Sequence, residues 1–375
     1  MTPTGEAATL NTKRVRARDL GISIGTLSPG PWNAITDVEG VRVGHATLNY
    51  GDGSLVVGKG PMRTGVTVIV PGDHIAVNPV FAGWHALNGC GEMTGLHWVE
   101  ESGLLSSVVA TTNTFSVGAV HQALIHYEMT AGLPVVAETW DGWLNDIRGM
   151  HVHGEHVRTA LDAAGSGPVQ EGSVGGGTGM ICHGFKGGIG SSSRVLTKAA
   201  GGWTVGVLVQ ANHGQRTQLR VDGVPVGRRI ATEEIPDPYA SFWATLTGSS
   251  SIIVVIATDA PLIPHQCKRL AQRATIGVGR AGGLGENTSG DIFLVFSTAN
   301  RDLYGQKEDG NPINLQMLPD NHLNLLFEAA ADATEEAILN AMCMATTVVG
   351  IDGNTAHSLP LDRLVEIMRS YGRIS

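Results

Sequence analysis

The chain has 375 residues, 42% of them apolar and 16% charged, with a net charge of −9; that balance fits a globular core and excludes an intrinsically disordered chain. Its basic residues form no run beyond Lys13, Arg14, Arg16 and Arg18, which argues against nucleic acid as a partner. Cys90, Cys182, Cys267 and Cys343 form no C-x-x-C pair, so neither a zinc ribbon nor a disulfide framework is indicated. The first residues, M-T-P-T-G-E-A-A-T-L, lack the apolar core of a signal peptide, and no stretch reaches the length of a membrane span. The expectation is a soluble cytoplasmic protein, with the 51 glycines spent on tight turns and close backbone packing.

Residues 1–18 are polar and read as an arm. From Gly21 to His45, Gly and Pro punctuate short apolar runs, predicting a set of short strands. Thr64 to Pro71, Ser107 to Thr112 and Pro134 to Thr139 read as strands. Helices are predicted to start within residues 88–103 and after T-N-T-F-S at residues 112–116. Residues 172–193, G-S-V-G-G-G-T-G-M-I-C-H-G-F-K-G-G-I-G-S-S-S, predict a glycine-permitted strand-turn-strand ribbon. They lack G-K-[ST] and a strand-turn-helix setting with a later ribose acid, so a nucleotide site is not indicated. Trp203 to Gln210 is a strand that runs into Ala211-Asn212-His213-Gly214, and residues 215–247 read as an exposed linker. Pro264 to Gly279, Leu323 to Val349 and Leu361 to Tyr371 are helical, and residues 287–300 form a turn entering a strand. Strands come in clusters and helices in pairs, which predicts layered α+β packing in one domain over residues 1–375.

The stretch from Gly248 to Leu262, G-S-S-S-I-I-V-V-I-A-T-D-A-P-L, organises the rest. Ile252 to Ile256 is a β-branched run of the kind that forms a fully buried strand. Ser249, Ser250 and Ser251 therefore stand at its beginning, on the rim of a sheet, where a hydroxyl is held rigidly within reach of substrate. No G-x-S-x-G elbow exists for a Ser-His-Asp triad. His151, His153, Glu155 and His156 offer metal-type ligands, but in the wrong order for H-E-x-x-H, and they read as an exposed polar turn. A serine hydroxyl can instead attack its own upstream carbonyl, shift the acyl group from N to O and be released by water. The α-amine so created, with a pKa near ~8, serves as a local base to the same hydroxyl.

The segments S-S-I-I-V-V-I-A-T-D-A-P-L-I-P-H-Q-C-K-R-L-A and N-T-S-G-D-I-F-L-V-F-S-T-A-N carry a resemblance to the L-aminopeptidase D-Ala-esterase/amidase family. N-A-I-T-D-V-E-G-V-R-V-G-H, N-G-C-G-E-M-T-G-L-H-W-V-E-E-S-G, G-G-G-T-G-M-I-C-H-G-F-K-G-G-I-G and V-Q-A-N-H-G extend it in the family's order from Gly21 to Ile351. The match is long enough to include the family's name-giving enzyme among the expectations. The resemblance implies a self-cleaving hydrolase that removes N-terminal residues from short peptides and also acts on D-alanine amides and esters or on β-amino acids. It implies an α-β-β-α sandwich like that of N-terminal-nucleophile hydrolases, with connectivity shared with ornithine acetyltransferases. It implies that no metal or cofactor is needed and that the protein assembles as a homo-oligomer, with a tetramer favoured.

Residue by residue, the resemblance makes Ser250 the nucleophile, with an α-chain of residues 1–249 and a β-chain of residues 250–375. Ser289 and Asp291 match the Ser-x-acid pair that supports the nucleophile. Asn212 matches an oxyanion-hole amide, a donor that contributes about 3–4 kcal/mol to the barrier. Glu138 matches the acid that binds the substrate's ammonium group, a role a carboxylate fills well. One departure concerns the residue before the nucleophile, glycine in the family and Ser249 here, with the glycine at 248. Cleavage before Ser249 or before Ser251 is the alternative register. An acyltransferase of the ornithine acetyltransferase type is the alternative activity, with the serine cluster against it because those enzymes usually cleave before threonine.

Overall fold

The computed structural model describes residues 13–128, 133–239, 250–304 and 311–374. The strands, in chain order, are β1 (Arg42–Tyr50), β2 (Met62–Val70), β3 (Val80–Gly89), β4 (Leu104–Leu105), β5 (Val109–Asn113), β6 (Val135–Thr139), β7 (Ile181–Cys182), β8 (Phe185–Lys186), β9 (Gly188–Val195), β10 (Thr204–Asn212), β11 (Ser251–Thr258), β12 (Gly290–Ser297), β13 (Val348–Val349) and β14 (Thr355–Ala356). The helices are α1 (Leu96–Ser102), α2 (Val117–Glu128), α3 (Gly154–Asp162), α4 (Pro264–Ala281), α5 (Asn324–Met344) and α6 (Leu361–Ser370). One sheet has the order β1-β2-β5-β6 and the other β4-β3-β12-β11-β10-β9.

Three apolar layers show how these pack. Val43, Ile69, Val109 and Val135 of the small sheet meet Leu208, Ile253, Val255 and Leu294 of the large one. The large sheet's other face, through Val207, Ile252, Val254 and Phe293, buries Leu270 and Ala274 of α4 with Ala333 and Ala337 of α5. The small sheet's other face, through Val66, Val68 and Ala110, packs on Val120 and Leu124 of α2 and Val157 of α3. The result is an α-β-β-α sandwich, because both sheets are apolar on both faces and each needs a cover on each side. β11 is buried along its whole length, which explains its unbroken β-branched run.

Close backbone approach explains two glycines. A Cβ at Gly190 would stand 1.9 Å from the Ala337 carbonyl, so α5 lies directly on β9. A Cβ at Gly277 would stand 2.5 Å from the Ala331 carbonyl, where α4 crosses α5. No helix among the described residues is long and apolar enough to cross a membrane.

Several regions differ from the sequence reading, among them the end of the helix expected over Leu323–Val349, which stops at Met344 before β13. Between residues 21 and 41 the only β pairing among the described residues is the Ser28–Val195 bridge. Ile22 and Ile24 are buried individually rather than along a strand. The described part of the expected linker, residues 215–239, is not exposed throughout: Leu219, Val221, Val224, Val226 and Ile230 enter the core beside α4 and α5. Its polar residues conceal an apolar spacing that irregular backbone can still bury. β3 went unpredicted because V-F-A-G-W-H-A-L-N-G mixes small, polar and aromatic residues without a clean alternation.

Candidate active site

β11 runs antiparallel to β10 and parallel to β12, with Asn212 opposite Ser251 and Ser251 opposite Gly290. Three chain segments far apart in sequence therefore present Asn212, Ser250 and the Ser289–Asp291 turn at one end of the large sheet. Ser250, Ser289, Asp291 and Asn212 are each buried. The Gly290 N–H donates to the Ser250 carbonyl at 3.2 Å and to Ser251 Oγ at 3.1 Å, locking the two strand starts together. Ser249 lies outside the described residues.

Ser289 Oγ stands 3.4 Å from Ser250 Oγ and donates to Asp291 Oδ1 at 2.5 Å. A hydroxyl has a single proton, so with Ser289's given to Asp291, Ser289 Oγ is free to accept the proton of Ser250. The three groups form a relay ending on a carboxylate. Burial pushes the Asp291 carboxyl up to about 6, against the hydrogen bond from Ser289; Glu286 adds to the rise.

Asn212 is fixed at both ends of its amide. Its Oδ1 accepts from the Ile181 N–H at 2.8 Å, and its Nδ2 donates to the Trp140 carbonyl at 3.0 Å, leaving one amide hydrogen for another acceptor. The bond to Trp140 also ties the end of β10 to the residue that follows β6. Glu138, on β6, reaches the site across the inter-sheet core. Its Oε1 accepts from the Glu92 N–H at 3.1 Å and its Oε2 from the Thr114 hydroxyl. Gly91 fits between Gly290 and Glu138; a Cβ there would meet the Gly290 Cα at 2.9 Å and Glu138 Oε1 at 3.1 Å. Burial holds the Glu138 carboxyl above the ordinary range, with the Thr114 and Glu92 hydrogen bonds opposing it.

The structure thus brings together all five of the predicted residues it describes. It adds Gly214, whose N–H donates to Ser250 Oγ at 3.1 Å. Its φ of +79° is left-handed, and a Cβ would meet the His183 ring at 2.2 Å, so only glycine fits there. The sole hint in sequence was a glycine just after the strand, in A-N-H-G. Thr114 was likewise visible only as part of a helix entry. The H-V-H-G-E-H segment is only in part the exposed turn expected: His153 and Glu155 are exposed. His151 is buried, its Nε2 lying 2.9 Å from Asp146 Oδ2, and His153 precedes α3, where its N–H donates to His156 Nδ1 at 2.9 Å.

Comparison with known proteins gives the chain's family and fold. The family model for peptidase family S58 matches residues 33–356. A beta-peptidyl aminopeptidase of Sphingosinicella microcystinivorans is 49% identical over 96% of this chain and 93% of its own. Among solved structures, a beta-aminopeptidase of Burkholderia sp. has a TM-score of 0.87 at 52% identity, covering 96% of this chain and 99% of that one. The L-aminopeptidase D-Ala-esterase/amidase of Ochrobactrum anthropi, described as a prototype for the serine aminopeptidases and a new variant among the Ntn hydrolase fold, has a TM-score of 0.85 at 45% identity, with 96% and 99% covered. At that identity the chain is a separate relative of the name-giving enzyme. By sequence over most of its length and by fold, the chain belongs to peptidase family S58 and is a hydrolase of the aminopeptidase kind.

Proposed function

We propose that this aminopeptidase is self-processed before Ser250 into chains of residues 1–249 and 250–375, and that Ser250 then serves as its N-terminal nucleophile. In processing, Ser250 Oγ attacks the Ser249 carbonyl carbon. The C–N bond breaks as the ester forms, and the hydroxyl proton passes to the departing nitrogen to give the Ser250 α-amine. Water then hydrolyses the ester to leave the Ser249 carboxylate and the free Ser250 hydroxyl. In turnover the same oxygen attacks the substrate's carbonyl and its proton passes to the α-amine. The leaving amine or alcohol takes that proton, and water releases the acyl group. Ser289 and Asp291 hold the hydroxyl and the amine in place. The free Asn212 amide hydrogen faces the developing oxyanion, and Glu138 pairs with the substrate's ammonium group.

Short peptides and small amino-acid amides and esters, D-alanine derivatives among them, are the substrates this reading assigns. N-terminal β-amino residues join them, because the relatives named beta-peptidyl aminopeptidases and beta-aminopeptidase match over nearly the whole chain. The protein would work without a cofactor as a homo-oligomer, with a tetramer the expected size. The observation that carries the reading is the Ser250–Ser289–Asp291 relay at the start of a buried central strand. Intact mass under denaturing conditions, with N-terminal sequencing, tests it. Two fragments are expected, the second beginning at Ser250, and Ser250→Ala should give a single inactive chain. A Ser250→Ala enzyme that still hydrolyses alanyl amides would refute it.

A further inference from the structure

Behind the nucleophile lies a second cluster that the chemistry above does not use. β7 and β8 form a hairpin in which Cys182 pairs with Phe185, so His183 and Gly184 make a two-residue turn. Both have positive φ, +49° for His183 and +68° for Gly184. That is the type I′ geometry hairpins favour, although histidine is an uncommon occupant of its first position. The turn aims His183 at His213, the residue between Asn212 and Gly214; the two rings stand 5.0 Å apart at an interplanar angle of 68°. Cys182, His183 and His213 are all buried, and one potential ligand atom from each lies within 4.8 Å of the others.

We propose that Cys182, His183 and His213 form a binding site for a zinc-class metal ion, separate from the proposed nucleophile. The ligand types are those such ions prefer, one thiolate and two imidazoles. One pair of ligand atoms already stands close to coordination spacing. A tetrahedral zinc with bonds of about 2.3 Å to sulfur and ~2.0 Å to nitrogen sets those two atoms about 3.5 Å apart; Cys182 Sγ and His213 Nδ1 stand 3.8 Å apart. His183 already has the tautomer a ligand needs. Its Nδ1 is 3.1 Å from the Gln215 carbonyl, which can only accept, so Nδ1 carries the hydrogen and Nε2 the lone pair. That Nε2 is buried with no hydrogen-bond partner, a costly arrangement that coordination would relieve.

Burial acts on the three ligands in opposite senses. Burial holds both imidazoles neutral, lowering His183 to about 4 and His213 well below the ordinary histidine value. Burial pushes the Cys182 thiol up to about 12, with the His213 backbone and Lys186 acting the other way. A bound ion would displace the thiol proton to solvent and take the thiolate. Lys186, its Nζ donating to the carbonyls of Gly177, Met180 and Gly187, is fixed beside that sulfur. Glu286, on the turn leading to Ser289, lies near enough to act on the Cys182 thiol and keeps Oε1 buried without a partner. It offers a compensating negative charge to a divalent ion.

Expression of the full chain in cobalt-supplemented medium tests the site. One cobalt per chain is expected, with a near-ultraviolet sulfur-to-cobalt absorption. That band should persist in Ser250→Ala and in Cys90→Ser, and vanish in Cys182→Ser and His183→Gln. Because Ser250→Ala keeps the band whatever it does to hydrolysis, failure of this site and failure of the proposed nucleophile give different results. A band that survives Cys182→Ser, or a chain purified without cobalt, overturns the proposal. X-ray absorption on the unsubstituted protein loaded with zinc needs no variant to fold; one sulfur and two imidazoles supports the site, and an all-oxygen shell overturns it.

Discussion

Asp291 shows how a buried carboxylate can serve a site at some cost to the fold. Its folded pKa, about 6, lies above the ordinary aspartate value because burial disfavours the charge. A group raised in this way contributes stability below pH ~4 that is lost as pH rises through about 6. Asp291→Asn keeps an acceptor for the Ser289 hydroxyl and removes the charge. The variant should therefore be more stable than the parent by on the order of 2 kcal/mol at pH 8, with the difference vanishing near pH 4. Urea denaturation at the two pH values measures this. Activity should fall by roughly 10²-fold or more; full activity in Asp291→Asn at pH 8 would remove Asp291 from the relay. The roles proposed for Ser250, Ser289, Asp291, Asn212 and Glu138 became legible through a resemblance spread over most of the chain. Spacing alone offered only a hydroxyl cluster before a strand. Gly214 and the Cys182–His183–His213 cluster stayed hidden because backbone register, not sequence distance, brings them to Ser250 and to each other.

At the level of elements, sequence legibility followed burial pattern. β11 and α4 were readable because one is a continuous β-branched run and the other carries Cys267, Leu270, Ala271 and Ala274 on one buried face. α5 was readable as a helix, yet its middle is buried almost all round, Glu335 and Glu336 included, which no amphipathic pattern announces. That burial depends on the crossing at Gly277. Gly277→Ala adds a methyl 2.5 Å from the Ala331 carbonyl and 2.6 Å from Thr334 Cβ, so α4 and α5 would have to separate. A gain in helix propensity of about 1 kcal/mol acts in the opposite direction, but overpacking costs roughly 1–3 kcal/mol. We expect a net loss of stability and a lower melting temperature; an unchanged one would mean that the helices can shift freely at this point.

Across the whole molecule, a buried charge pair fastens α5 to the edge of the large sheet. Arg194 Nη2 donates to Glu336 Oε2 at 2.7 Å, and both side chains are fully buried. Arg18 adds a second cation, its Nε 2.9 Å from Glu336 Oε1. Burial alone would raise the Glu336 carboxyl, but Arg194 and Arg18 overcome it and hold the carboxyl below the ordinary glutamate range. Its contribution is therefore present above pH ~4.5 and lost as pH falls through the depressed value. Glu336→Gln leaves Arg194 buried without its counter-charge and should cost roughly 3–5 kcal/mol at pH 7. Chemical denaturation of Glu336→Gln beside Arg194→Met/Glu336→Met should show the double variant to be the more stable of the two. The sequence suggested layers through its clustered strands and paired helices, but not this clasp, whose members lie 142 residues apart.

Placing Ser250 just before a central strand has a kinetic consequence. β11 is hydrogen-bonded to β10 on one side and β12 on the other, and β12 continues to β3. A cut before Ser250 would leave pieces that interlock within one sheet, with β11, β12, α4 and α5 on one and β3, β9 and β10 on the other. Such a nick would free no fragment while the fold stands, yet it would change the molecularity of refolding. The uncut chain would refold in a first-order process, whereas the cut protein would need two partners to meet. Its recovery from denaturant should slow as protein concentration falls, while that of uncut Ser250→Ala should not. A cut enzyme would carry its stability in the persistence of an assembled state more than in the ease of regaining it.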